Sequence, residues 1–145
     1  MSLIKELAIS LPIVIIIAII GTHLVVVPTG SMSPAINEGD MVLVEKTDVL
    51  GLFEELHPES VKTGDIIIYG DHESNEFVIH RVIGINESEG SKQLTMKGDN
   101  NSEADEGAVN SSQITGRVLT WGDSPIKIPQ VGWAVLWFNG MVGSH

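Results

Sequence analysis

A chain of 145 residues is long enough for one compact domain and too short for two ordinary ones, which limits the architecture to an anchor plus a single domain. It has no cysteine, so disulfide frameworks, thiol nucleophiles and zinc–thiolate sites are excluded. Its 19 acidic against 8 basic residues, a formal charge of −11, oppose a nucleic-acid groove, which needs clustered Lys and Arg. The excess acid is spread over 38–112, a pattern that reads as a solvated surface and not as a calcium site. No metal or other cofactor is expected.

Residues 1–6 form a short tail. Residues 7–27, LAISLPIVIIIAIIGTHLVVV, carry no Asp, Glu, Lys or Arg. As a helix rising about 1.5 Å per residue, such a segment spans the roughly 30 Å hydrocarbon layer of a bilayer. The run exceeds the apolar core of a cleaved secretory signal, and the preceding tail has one Lys and one Glu where such a signal has a basic cluster, so an uncleaved transmembrane helix is expected. His23 falls near its end as an uncharged interfacial imidazole. Lys5 is the only charge offered to the positive-inside rule on the amino side. Pro28 cannot continue a helix and disfavours helical geometry in the residue before it, so the helix should stop at about Val27.

The chain then enters turns in PTGSMSPAINEGD (28–40). Short β-branched runs follow: MVLVEK (41–46), DIIIYG (65–70), FVIHRVIGI (77–85), QLTMKG (93–98) and QITGRVLTW (113–121). Each is bounded by Gly, Asn, Asp or Pro, as strands are. Only VLGLFEEL (49–56) offers a short helical period. Residues 28–145 are therefore expected to form a mostly β domain, a small twisted antiparallel barrel or two packed sheets. The end, IPQVGWAVLWFNGMVGSH (128–145), has the aromatic composition of a bilayer interface, with core packing of Trp133 and Trp137 the alternative.

Chemistry can be sought in three segments. Serine is a weak nucleophile unless a neighbouring base, commonly His, takes its proton and a third group orients that base. Ser31 lies in the turn just after the apolar helix. His80 is the histidine inside a strand-like apolar run, where a side chain's direction is fixed; His57 and His72 lie in polar sequence. Asp99 and Asp105 lie in the polar turn MKGDNNSEAD, where a carboxylate can set the imidazole tautomer. Each residue alone is explained by turn or strand chemistry.

Together these segments resemble the type I signal peptidases, specifically the archaeal and endoplasmic-reticulum branch. The likeness covers about residues 7–135: an amino-terminal membrane helix, TGSMSPAINEGD, IHRV, and KGDNN followed by an Asp, with GRV later at 116–118. The resemblance implies a serine endopeptidase in which Ser31, not Ser33, is the nucleophile. His80 stands where bacterial relatives have a base Lys, which makes Lys62, Lys92 and Lys97 unsuited to that role. Asp105 is expected to orient His80 and Asp99 to support the site, with the reverse allocation open. By the same resemblance the Ser31 backbone N–H, aided by Thr29, meets the oxyanion, and Met32, Pro34, Met41 and Val42 neighbour the substrate. Alternation in the strand turns Arg81 away from His80, toward a structural ion pair.

The implied partners are pre-proteins bearing signal peptides and the lipid bilayer, with translocation machinery or accessory subunits left open. The implied location is a single-pass membrane protein with its catalytic domain on the extracytoplasmic side. A self-cleaving Ser-Lys repressor-type protease would need a Lys at the place of His80 and a DNA-binding segment in place of the helix. A catalytically silent, membrane-tethered β domain that binds peptides or scaffolds a complex is the alternative from another class. Asn-x-Ser sequons at Asn86, Asn100 and Asn110 suit an exported domain if they carry glycans.

Overall fold

The computed structural model describes residues 3–46, 56–71, 76–88 and 91–142. In chain order these form α1 (Leu3–Thr22), β1 (Leu24–Val26), β2 (Met41–Lys46), β3 (Ile66–Asp71), β4 (Glu76–Ser88), β5 (Ser91–Lys97), β6 (Val109–Asn110), β7 (Ile114–Val118), β8 (Thr120–Trp121), β9 (Ser124–Pro125), β10 (Lys127–Ile128) and α2 (Gly132–Val142). The fold is mostly β and antiparallel. Among the described residues the main sheet runs β1-β2-β7-β3-β4-β5-β6 as an open path, with β10 also paired to β2. The helical segment expected at 49–56 lies outside the described residues except for Leu56, which is buried.

Helix α1 holds its apolar side chains away from the β domain, and its segment Ile4–Thr22 has a mean hydropathy of 2.3. It ends at Thr22, short of the expected Val27. After His23 the residues are leucine and valine, and the β2 edge gives them a better use: Leu24, Val25 and Val26 pair with Leu43, Val42 and Met41. A ladder with a neighbouring strand overrides a helical reading based on apolarity alone. His23, expected at an interface, is buried at this junction, with its Nδ1 2.9 Å from the Val44 carbonyl oxygen.

Strand β3 shows why its sequence is apolar without alternation. Ile66 and Ile68 enter one core cluster with Val27, Met32, Ile36, Val42, Val44 and Val118. Ile67 enters a second with Val82, Leu94, Met96 and Ile114, and Tyr69 packs against it. Both faces of β3 are covered, as a continuous apolar run requires. The expected strand 113–121 is divided at Leu119, whose N–H donates to the Leu43 carbonyl 2.8 Å away; β8 then turns through Gly122, at φ 62°, to pair with β9.

The carboxyl-terminal helix α2 was not expected. It is apolar on every side, so no 3.6-residue period marks it, and Trp137 remains 68% exposed. Its first turn docks on Gly39, where the Gly132 N–H donates to the Gly39 carbonyl at 2.9 Å. Gly39 has φ +84°, and a Cβ there would meet the Trp133 indole.

Candidate active site

The turn between β1 and β2 presents a serine by burying its neighbours. Met32 and Ile36 are 0% exposed, and the Ile36 N–H donates to the Met32 carbonyl at 3.0 Å. These two anchors pin the turn to the core and leave Ser31 at the rim. Ser33 is committed elsewhere, donating to Asn37 Oδ1 at 2.8 Å.

His80 is 6% exposed and sits on β4 opposite Ile67 of β3. Its Nε2 is 3.1 Å from Ser31 Oγ, and its Nδ1 is 2.5 Å from Asp105 Oδ2. An ionised carboxylate only accepts, so a proton on Nδ1 belongs to this contact, and Nε2 then faces the Ser31 hydroxyl with its lone pair. The loop bearing Asp105 is tied back by its own N–H, which donates to the Met96 carbonyl at 2.9 Å.

Asp99 is not part of that chain of contacts. Arg81, the residue after His80, projects to the other face of β4 and donates through Nε and Nη2 to Asp99 Oδ1 and Oδ2 at 2.8 and 2.7 Å. Its Nη1 reaches the Gly64 carbonyl at 2.9 Å. Hydrogen bonding to Asp99, helped by that residue's charge and by Asp123, holds the guanidinium pKa above its ordinary value against an opposing effect of burial. The fork-on-carboxylate geometry locks the start of the loop that carries Asp105.

The same loop clamps the turn that carries Ser31 through contacts that sequence reasoning missed. The Asn100 N–H donates to the Ser31 carbonyl at 2.8 Å, and its side-chain amide donates to the Gly30 carbonyl at 3.3 Å. Gly98 permits this approach, because a Cβ there would lie 2.7 Å from the Ser31 carbonyl oxygen. A further unanticipated contact comes from the Tyr69 hydroxyl, which donates to Asp105 Oδ2. The signals were present as Gly98 and Asn100 in KGDNN and as the last residue of the DIIIY run, but turn and strand chemistry explained each one locally.

Beside Ser31 and His80 lies a cleft of about 450 Å³, walled by Val25, Val27, Ile68, Val78 and Ile79. Thr29 is on its rim, with Oγ1 3.4 Å from Ser31 Oγ. The other expected substrate neighbours are elsewhere: Met32 and Val42 are core side chains, Met41 is half-buried between β1 and β10, and Pro34 is exposed outside the cleft. The wall is β1, and that strand was hidden inside the apolar run read as helix. With β1 on this side of β2, the alternate β2 residues face the core.

Comparisons with known proteins bear on the family of the chain. A family model described as signal peptidase, peptidase S26, matches residues 1–89. An uncharacterised protein of Methanocaldococcus jannaschii is 25% identical over 86% of this chain and 88% of its own length. The signal peptidase complex catalytic subunit of Plasmodium falciparum is 31% identical over 79% of this chain and 58% of its own. Signal peptidase I W of Bacillus subtilis is 32% identical over 67% and 46%. The chain thus spans about half of the length of these two signal peptidases. Because the family model covers more than half of the 145 residues, the protein belongs to the signal peptidase family, peptidase S26.

Proposed function

We propose that the chain is a membrane-anchored serine endopeptidase that removes signal peptides from translocated pre-proteins. The observation that carries this reading is the continuous line of contacts from Ser31 Oγ through both nitrogens of His80 to Asp105. In the proposed mechanism Ser31 attacks the scissile carbonyl as His80 Nε2 takes its proton. Asp105 keeps the imidazole in the correct tautomer and stabilises the imidazolium. The oxyanion is met by the Ser31 N–H, which has no acceptor among the described residues, with Thr29 beside it. His80 then protonates the leaving amine, and water hydrolyses the acyl-enzyme.

The substrate lies extended along the cleft between β1 and β4, a strand-addition mode that draws on main-chain hydrogen bonds. The aliphatic wall of Val25, Val27, Ile68 and Ile79 suits small apolar side chains one and three residues before the cut. Helix α1, with 20 residues, serves as the anchor, followed by one β-rich catalytic domain. Ser31 follows the helix end at Thr22 by one short strand and a turn, which keeps the nucleophile close to the extracytoplasmic membrane surface where a translocated signal peptide ends. Relatives named as subunits of a signal peptidase complex support assembly with accessory subunits.

The test is cleavage of a pre-protein by the full chain in liposomes, with the new amino terminus sequenced. Wild type and Ser33→Ala are expected to cut at the signal-peptide junction, and Ser31→Ala is not. An inert wild type, or equal cutting by Ser31→Ala, would instead identify a peptide-binding domain. A second expectation concerns the clamp. Gly98→Ala drives a methyl group against the Ser31 carbonyl and Asn101, so the turn must move, and a shift of about 1 Å at a nucleophile costs on the order of 10- to 100-fold in rate. Initial rates of pre-protein cleavage measure it.

A further inference from the structure

Strand β3 ends its apolar run on a residue with a polar tip. The ring of Tyr69 packs against the second core cluster, on the same face as Ile67, so the position of the hydroxyl is set by the core. At this point the ladder between β3 and β7 shifts register, between Ile68 and Tyr69, and Thr115 Oγ1 donates to the Ile68 carbonyl at 3.1 Å. Such irregularities increase the local twist and re-aim side chains. Here the phenol points at the loop that carries Asp105.

The Tyr69 O–H donates to Asp105 Oδ2, the same oxygen that faces His80 Nδ1 at 2.5 Å. The phenol oxygen is 3.5 Å from that nitrogen, and the two rings meet edge-on with centroids 6.4 Å apart at 60°. One carboxylate oxygen therefore receives two converging donors. Burial, then the hydrogen bond and charge of Asp105, push the phenol pKa well above its ordinary value, so Tyr69 is a protonated donor at neutral pH.

We infer that Tyr69 is a positioning residue for the proposed Ser31–His80–Asp105 relay, holding the Asp105 oxygen on the line of His80 Nδ1. The inference rests on that catalytic reading. A carboxylate on a surface loop can rotate about its last torsion, and a donor anchored in the core removes that freedom. Tyr69 does not line the substrate cleft, so its contribution belongs to turnover and not to substrate binding. Among the described residues, the Asp105 carboxylate would otherwise depend on its contact with His80 alone, the contact that must persist while the imidazole gains and loses its proton.

The experiment compares kcat and KM for wild type, Tyr69→Phe, Asp105→Ala and the double variant, each as the full chain in detergent, with Ser31→Ala and His80→Ala as references. Phenylalanine keeps the ring and the core packing. The expected result is a roughly tenfold lower kcat with KM unchanged, the scale of a lost hydrogen bond to a charged group. No further loss is expected when the change is made in Asp105→Ala, because the acceptor is already gone. Should Asp105→Ala turn over too slowly to measure, the Nδ1–H proton resonance of His80 in nitrogen-15 histidine-labelled protein gives the second readout. It is expected to move downfield in Tyr69→Phe as the competing donor is lost. An unchanged kcat, an equal loss in both backgrounds, a change confined to KM, or an unmoved resonance overturns the inference. Inert Ser31→Ala and His80→Ala beside a fully active Tyr69→Phe would reject the tyrosine alone, whereas active reference variants reject the relay and the tyrosine's role with it.

Discussion

Alanine in place of Ser31 or His80 is expected to lower the rate of pre-protein cleavage by on the order of 10⁴-fold or more, whereas Ser33→Ala stays near wild type. The two serines lie in the same turn, yet only Ser31 Oγ is 3.1 Å from His80 Nε2; Ser33 is bonded to Asn37. An unassisted hydroxyl is almost fully protonated at neutral pH, so the reaction needs a base in place at the moment of attack. Removing either member leaves the other unable to act, and the two losses should therefore not add: the double variant should be about as slow as each single one. His80→Lys is expected to remain inactive despite restoring a basic group. A lysine at this position lies beside Asp105, and a neighbouring carboxylate favours the protonated ammonium, which cannot accept the serine proton. Cleavage rates at matched protein concentration, with thermal melting to show that each variant is folded, measure these outcomes. A His80→Lys variant that cuts as fast as wild type would show that the carboxylate does not govern the base.

Much of this site was legible in the sequence because strand alternation and motif order act locally. The run FVIHRVIGI places His80 and Arg81 on opposite faces of whatever strand it forms, and the structure gives the first to Ser31 and the second to Asp99. That separation also puts the two acids in different contacts, since the Asp paired bidentately with Arg81 lies on the other side of β4 from His80, which faces Asp105. The sequence could not show this, because the decision depends on the path of the loop after β5. The mostly β class and the limits of β2 were legible for the same local reason. Three features were not. The helix boundary failed at Leu24–Val26, where pairing with β2 settles a segment that apolarity leaves open between helix and strand. Helix α2 failed because a segment apolar on all sides has no period to read. The cleft wall failed as a consequence of the first error, since β1 was not available to be assigned as a wall and Met41 and Val42 were put in its place.

Asp40→Ala is expected to destabilise the domain by about 2–4 kcal/mol, the scale of breaking a buried charge pair while leaving its donors without an acceptor. Asp40 is 1% exposed and accepts from three donors in two parts of the chain: Lys127 Nζ of β10 at 2.8 Å and the Gln130 N–H at 3.1 Å from one, and the Asn37 N–H at 2.9 Å from its own turn. The carboxylate thus ties the turn that carries Ser31 to the segment leading into α2, and Gln130 holds a left-handed φ of 62° at that junction. Lys127 keeps some contact with solvent, so its charge is less costly to strand than a fully buried one, which sets the lower end of the range. Burial alone would raise the Asp40 pKa, but these donors and the lysine charge outweigh it and hold the value below that of a free aspartate. The unfolded chain then binds the proton more readily than the folded one. The bracket's contribution is therefore complete above about pH 4, the unfolded value, and is lost as the pH falls through the depressed folded value. Urea unfolding of wild type and Asp40→Ala across that range measures both parts of the expectation. The two curves should be separated at pH 6 and converge as the acid removes from wild type what the substitution has already removed. Curves separated by the same amount at every pH would assign the loss to packing and not to the carboxylate's charge.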